Sequence, residues 1–158
     1  MKTSFLLPHA FKIPGWVLFV GALATGLILY YTNFNFDLHG QMKVFALFEN
    51  DILSETTFFH WTETGIFDEL LISLILIGGI FVGFSKTKSE DEFIAQIRYE
   101  SLVWAFYFNA FLILMSTLFI YGMSYFTVMI GNIFSTLVFF IGRFHYKLYQ
   151  LKRSTHEE

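Results

Sequence analysis

Ile66-Phe67-Asp68-Glu69-Leu70-Leu71-Ile72-Ser73-Leu74-Ile75-Leu76-Ile77-Gly78-Gly79-Ile80-Phe81-Val82-Gly83-Phe84 holds thirteen Leu, Ile, Phe or Val residues and keeps its two charges at one end. On an insertion scale of about −0.3 to −0.6 kcal/mol for each such residue, the run is worth roughly −4 to −8 kcal/mol. As a helix rising about 1.5 Å per residue, it is long enough to cross a hydrocarbon layer about 30 Å thick. Three more windows read the same way: Ile13 to Tyr31, Leu102 to Tyr121 and Phe126 to Gly142, none with a charge in its middle. The chain has 158 residues, 55% hydrophobic, 21% aromatic and 15% charged. A soluble fold of that size cannot bury four such runs, whereas a bilayer receives them.

Basic residues set the orientation. Lys2, Lys12, Lys86, Lys88, Arg98, Arg143, Lys147, Lys152 and Arg153 fall on one side of a four-span arrangement and Lys43 alone on the other. By the positive-inside rule the N-terminus, the Ser85 to Ser101 connection and the C-terminal tail 143–158 are cytoplasmic. Thr32 to Gly65 and a tight Gly122 to Tyr125 turn then face outward. Trp16, Tyr30, Tyr31, Trp61, Trp104, Tyr121, Tyr125 and Tyr146 lie near those boundaries, where amphipathic rings prefer to sit. The first span is followed by Tyr30-Tyr31-Thr32-Asn33 without a small-residue cleavage pattern, so it reads as retained. The expected fold is an all-α membrane protein: one domain, 1–158, a multi-pass four-transmembrane-helix bundle with both termini in the cytoplasm. A small extracytoplasmic cap separates helices 1 and 2, and a long third helix projects into the cytoplasm.

Ser89-Glu90-Asp91-Glu92 matches a capping box, with the Ser89 hydroxyl on a free first-turn N–H and Glu92 reaching back. No proline or glycine follows until Gly122, which predicts one helix from Glu90 to Tyr121, roughly 48 Å long. Its first turns carry an apolar stripe, Phe93, Ile94 and Ile97, beside the acids Glu90, Asp91 and Glu92. The stripe packs on the tail or the headgroups, or else docks a soluble partner. The outward segment combines five acids with Val44, Phe45, Leu47, Phe48, Ile52 and Leu53, too apolar for a disordered loop. Met42 to Phe48 reads equally as a strand or an interfacial helix.

Chemistry is sparse. The absence of cysteine excludes disulfides and thiolate catalysis. His39 and His60, with Asp37 and Glu63, have metal-ligating side chains, but scattered among loop acids they read as solvated groups. No span has a charge in its middle, which argues against a pump or proton relay. No catalytic, metal or cofactor set is expected, and no enzyme. The uncharged polar residues in the spans read as interhelical glue. A depth count from the turn sets Asn132 level with Met115 and Ser116, predicting an Asn132–Ser116 hydrogen bond, and places Asn109 near Gly21 and Gly78. Small residues recur four apart at Gly79 with Gly83 and Gly131 with Ser135. Gly79-x-x-x-Gly83 serves packing within the chain ahead of a homodimer.

The run Glu90-Asp91-Glu92-Phe93-Ile94-Ala95-Gln96-Ile97-Arg98-Tyr99-Glu100-Ser101-Leu102-Val103-Trp104-Ala105, with the later Arg143-Phe144-His145-Tyr146, resembles a pattern in small uncharacterised four-span bacterial membrane proteins. Such proteins are often encoded beside a helix-turn-helix regulator, which implies a location in the cell inner membrane and a membrane tether or sensor for a cytoplasmic protein, with no direct nucleic-acid contact. An accessory subunit of a larger membrane complex and a transport or channel component are the alternatives.

Overall fold

The computed structural model describes residues 5–32, 41–49, 57–88 and 90–156. In chain order these form α1 (Lys12–Tyr31), β1 (Gln41–Glu49), β2 (Thr57–Gly65), α2 (Phe67–Phe84), α3 (Glu92–Phe119) and α4 (Met123–His156). All four helices are long and apolar enough to cross a membrane. The chain divides into two compact units, Met1–Gly21 with Ile75–Glu158, and Ala22–Leu74.

The first unit is built on close helix approach. Its core comprises Phe19, Val82, Ala105, Phe140, Ile141 and Phe144. Glycines let the backbones near one another: a Cβ on Gly78 would sit 2.6 Å from the Phe19 amide nitrogen, and one on Gly15 would sit 2.7 Å from the Phe81 Cβ. Gly79 faces Phe19 and Leu137, and Gly83 faces the Phe140 ring, so both members of the Gly79-x-x-x-Gly83 pair are occupied inside the chain. Outside this core the helices present Val17, Ile80, Phe106, Phe111, Leu114, Ile130 and Ile133, all exposed. Such a girdle is unusual for a protein in water and ordinary for one in lipid.

Helix boundaries differ from the expectation in ways that matter. α3 begins two residues later than predicted, capped by Asp91, whose carboxylate accepts from the Ile94 N–H at 2.8 Å. Ser89, the expected cap, lies outside the described residues. The turn is Ile120 to Gly122 rather than Gly122 to Tyr125, with Gly122 at φ +71°, a left-handed conformation that glycine adopts freely. α4 then runs unbroken for 34 residues through what sequence reading took as a tail. At about 1.5 Å per residue it is about 51 Å long, well beyond a hydrocarbon layer of about 30 Å.

The Ala22–Leu74 unit corrects the all-α expectation. Between α1 and α2 the chain forms a two-stranded antiparallel hairpin, in register from Gln41 opposite Gly65 to Glu49 opposite Thr57. Thr57-Phe58-Phe59-His60-Trp61-Thr62-Glu63-Thr64 is rich in the aromatic and β-branched types that fit a pleated surface. Lys43 pairs with Glu63 at 3.5 Å, Phe45 meets Trp61 edge to face, and Phe48 meets Phe58. Pairing lapses between Leu47 and Phe59, where Phe59 takes φ 52°, strained for a bulky residue by about 1–3 kcal/mol. Asp37 and His39 lie outside the described residues.

Gly78→Ala is expected to destabilise the protein by about 1–3 kcal/mol, because its new methyl meets backbone that cannot step aside. Gly21→Ala, which meets nothing within 4 Å, is the neutral control. Reversible unfolding in mixed micelles reads both.

Candidate functional site

Two polar assemblies stand out in the first unit, one at the end where the basic residues gather and one partway along the helices. At the basic end Arg98, one turn and a half into α3, is 5% exposed. Its Nη1 donates to Glu90 Oε1 at 2.6 Å and its Nη2 to Glu90 Oε2 and to the Ser85 carbonyl, both at 3.3 Å. The guanidinium also lies 4.8 Å over the centre of the Phe144 ring. Glu90 in turn accepts from the Thr87 amide and hydroxyl, each at 2.8 Å. Burial alone would raise the Glu90 carboxyl, but the hydrogen bonds from Arg98 and Thr87 outweigh it and hold its pKa below the ordinary glutamate value.

This clasp ties down the chain around it. Leu7 bridges in parallel to Ser85, its N–H donating to the Phe84 carbonyl at 3.0 Å and its carbonyl accepting from Lys86 at 2.9 Å. Ser85 is buried and returns its hydroxyl to the Phe81 carbonyl. Lys12 lies within electrostatic reach of Arg98, Lys152 and Glu90. Beside them Trp16 packs edge to face on His145, and Arg143 lies 4.9 Å over Trp104.

The acidic and apolar residues singled out at the start of α3 therefore divide. Glu90 belongs to the clasp, Asp91 is the cap, and Ile94 and Ile97 turn inward and are buried. Glu92 is exposed, and Phe93 remains 54% exposed. Together with Gln96, Ile97 and Glu100 of α3 and Lys147, Gln150 and Leu151 of α4, Phe93 lines a groove of about 360 Å³. The stripe is thus half core and half groove. Sequence reading missed the α4 wall because it treated residues 143–158 as a tail.

The second assembly joins α3 to α4. Asn109 Nδ2 donates to the Asn132 carbonyl and Oδ1, both at 3.2 Å, and to Ser135 Oγ at 2.9 Å. Ser135 Oγ donates to Asn132 at 2.8 Å. The expected Asn132–Ser116 bond is not formed, since Ser116 donates to the Leu112 carbonyl of its own helix at 2.7 Å. The cause is the earlier turn, which slides α4 along α3 by about one helical turn and sets Asn132 between Asn109 and Ser116. Asn109 likewise meets α4 rather than Gly21 or Gly78, and Gly78 is closed by Phe19.

Among the described residues no group of three or more His, Asp or Glu is placed to hold a metal ion. Comparison of the chain with protein-family models, with curated proteins and with solved structures finds no match to any of them.

Removing one partner of the clasp strands a buried charge, so Glu90→Leu is expected to cost about 3–5 kcal/mol, while Glu90→Leu with Arg98→Met recovers most of it. A double variant as unstable as the single one would refute that accounting. A carboxyl with a depressed folded pKa stabilises at every pH above its unfolded value of about 4.3 and loses that contribution as pH falls through the folded value. Wild type should therefore lose stability on acidification below about pH 4.3 more steeply than the double variant. Asn109→Leu breaks the second assembly and should cost about 0.6–1.7 kcal/mol in the same unfolding assay.

Proposed function

We propose that this chain is a multi-pass integral membrane protein, with both termini cytoplasmic, that holds a cytoplasmic protein against the membrane and carries out no catalysis itself. Four apolar helices and a girdle of exposed large apolar side chains support the membrane reading. The nine-to-one distribution of basic residues supports the orientation. The resemblance of 90–105 and 143–146 to small four-span bacterial proteins supports an inner-membrane location and a regulator as partner.

The observation that carries the tether reading is the joint overhang of α3 and α4. Both helices exceed the hydrocarbon thickness, and their excess lies at the same end, where Phe93, Ile97 and Leu151 floor a groove edged by Glu100, Lys147, Gln96 and Gln150. An apolar floor with a mixed-charge rim is suited to the apolar face of an amphipathic helix. The transport alternative draws less support, because Asn109, Asn132 and Ser135 converge on one another. An accessory subunit in a larger complex would use the same overhang for a different neighbour.

The test is gentle detergent purification of the tagged protein from its native membrane, followed by mass spectrometry, alongside a Phe93→Asp, Lys147→Glu variant. Both side chains line the groove without entering the clasp, so helix content should be unchanged. A stoichiometric soluble protein that copurifies with wild type and is lost from the variant is the expected result. Copurification of membrane subunits alone would move the accessory-subunit reading ahead.

A further inference from the structure

Between α3 and α4 a second groove, of about 300 Å³, is lined by Leu112, Ser116, Val128, Gly131, Asn132 and Ser135. Asn132 is 8% exposed. Its Oδ1 accepts from Asn109 and Ser135, but among the described residues its own Nδ2 meets no acceptor and Asn109 Oδ1 meets no donor. On the membrane reading proposed above, Asn132 lies about 9 Å inside the apolar run that starts at Phe126. At that depth no bulk water supplies the missing partner, and an amide N–H left without one costs a few kcal/mol. An acyl chain would fill the groove and leave the amide unsatisfied. The occupant must bring an acceptor to this depth and be slim enough to lie against Gly131, where an added Cβ would meet nothing within 4 Å.

We propose that the occupant is α4 of a second copy, and that the protein is a two-fold dimer closed around Asn132. Two copies inserted in the same orientation stand at the same depth, so an axis along the membrane normal brings the Asn109 and Asn132 amides of one copy level with those of the other without any further matching. Asn132 Oδ1 already holds two donors, so the free groups are the Asn132 Nδ2 donor and the Asn109 Oδ1 acceptor beside it, and this pair of amides is complementary to the same pair in a second copy. Gly131 and Ser135, four residues apart on the groove side, let the two α4 backbones come close enough for the amides to meet. The other small pair, Gly79 with Gly83, is filled by Phe19, Leu137 and Phe140 and is closed to a partner. A helix of unrelated sequence would have to match depth, width and hydrogen bonding independently.

The chain has no cysteine, so a single introduced thiol reports its own surroundings. In native membranes under mild oxidation, Gly131→Cys is expected to yield disulfide-linked dimers at least about tenfold more than Val17→Cys, an exposed position on α1. Gly131→Leu fills the groove without touching the asparagines. It should lower the dimer fraction about tenfold, counted by single-molecule photobleaching in native-lipid discs, with the far-ultraviolet helix signal unchanged. Equal cross-linking at the two positions, single-step bleaching of wild type, a dimer that survives Gly131→Leu, or cross-linking of Gly131→Cys to another protein instead would each overturn the proposal. A carbonate wash of the same membranes separates the two readings. If wild type washes out, membrane insertion fails and the dimer with it; if it is retained as monomers, the dimer alone fails.

Discussion

A guanidinium cannot be neutralised by losing its proton, so an arginine buried to the extent of Arg98 dictates what surrounds it. It needs a carboxylate, a further oxygen for its fork, and a surface that tolerates its face. Glu90, the Ser85 carbonyl and the Phe144 ring supply these from the connection after α2 and from α4. Meeting that demand fixes Ser85 to Thr87 and Glu90 relative to α3, because Glu90 must double back from just ahead of α3 while Thr87 holds it from the other side. Buried ion pairs contribute little net stability against apolar replacements. What this one contributes is position: it selects one register for the start of α3 against α4, where Ile94, Ile97 and Phe144 alone could pack with α3 slid by a turn.

Beyond that end the packing depends on nearness more than on hydrophobicity. On the proposed membrane reading the surrounding lipid is as apolar as leucine, so helices gain little by merely hiding side chains from it. They gain from dispersion at short range, which is why the tightest approaches fall at Gly15, Gly78 and Gly83 and why the largest fully buried side chains, Phe140 and Phe144, seat against them or between the helices. The stacked Phe108 and Phe139, 4.4 Å apart, do the same for α3 and α4 where no glycine is available. Phenylalanine accordingly serves both as core, at Phe140 and Phe144, and as exposed surface, at Phe106 and Phe111.

Much of this could be read from the chain. Unbroken apolar runs give the four helices, since length and composition alone decide whether a segment can cross a bilayer. The acidic start of α3 was legible as a cap to within two residues, displaced because Asp91 and not Ser89 sits one residue ahead of the first helical turn. Arg98 was legible only as a positive charge. Its partner Glu90 lies ahead of the first helical turn, beyond the cap Asp91, where helix periodicity no longer says where a side chain points. The hairpin was half legible: Met42 to Phe48 left strand and helix level, and the partner strand went unnoticed because two adjacent phenylalanines and a glycine-free run obscure the alternation. The Asn109 cluster was visible as polar residues in apolar surroundings, but which of them meet depends on the centre of a three-residue turn. An error of two or three residues there moves every pairing by a full helical turn.

Leu7 exchanges backbone hydrogen bonds with Phe84 and Lys86, a separation of nearly eighty residues. A chain is synthesised from its N-terminus at about 5–20 residues per second, so residues near Leu7 are made several seconds before their partners exist. During that interval two apolar helices have to be accommodated and the intervening hairpin passed, while the first segment waits with its amides on water. The segment around Leu7 is thus among the last parts to be finished, and its closure over Ser85 reports that α2 has arrived. Anything that bound the early segment during those seconds would hold assembly open at a defined stage.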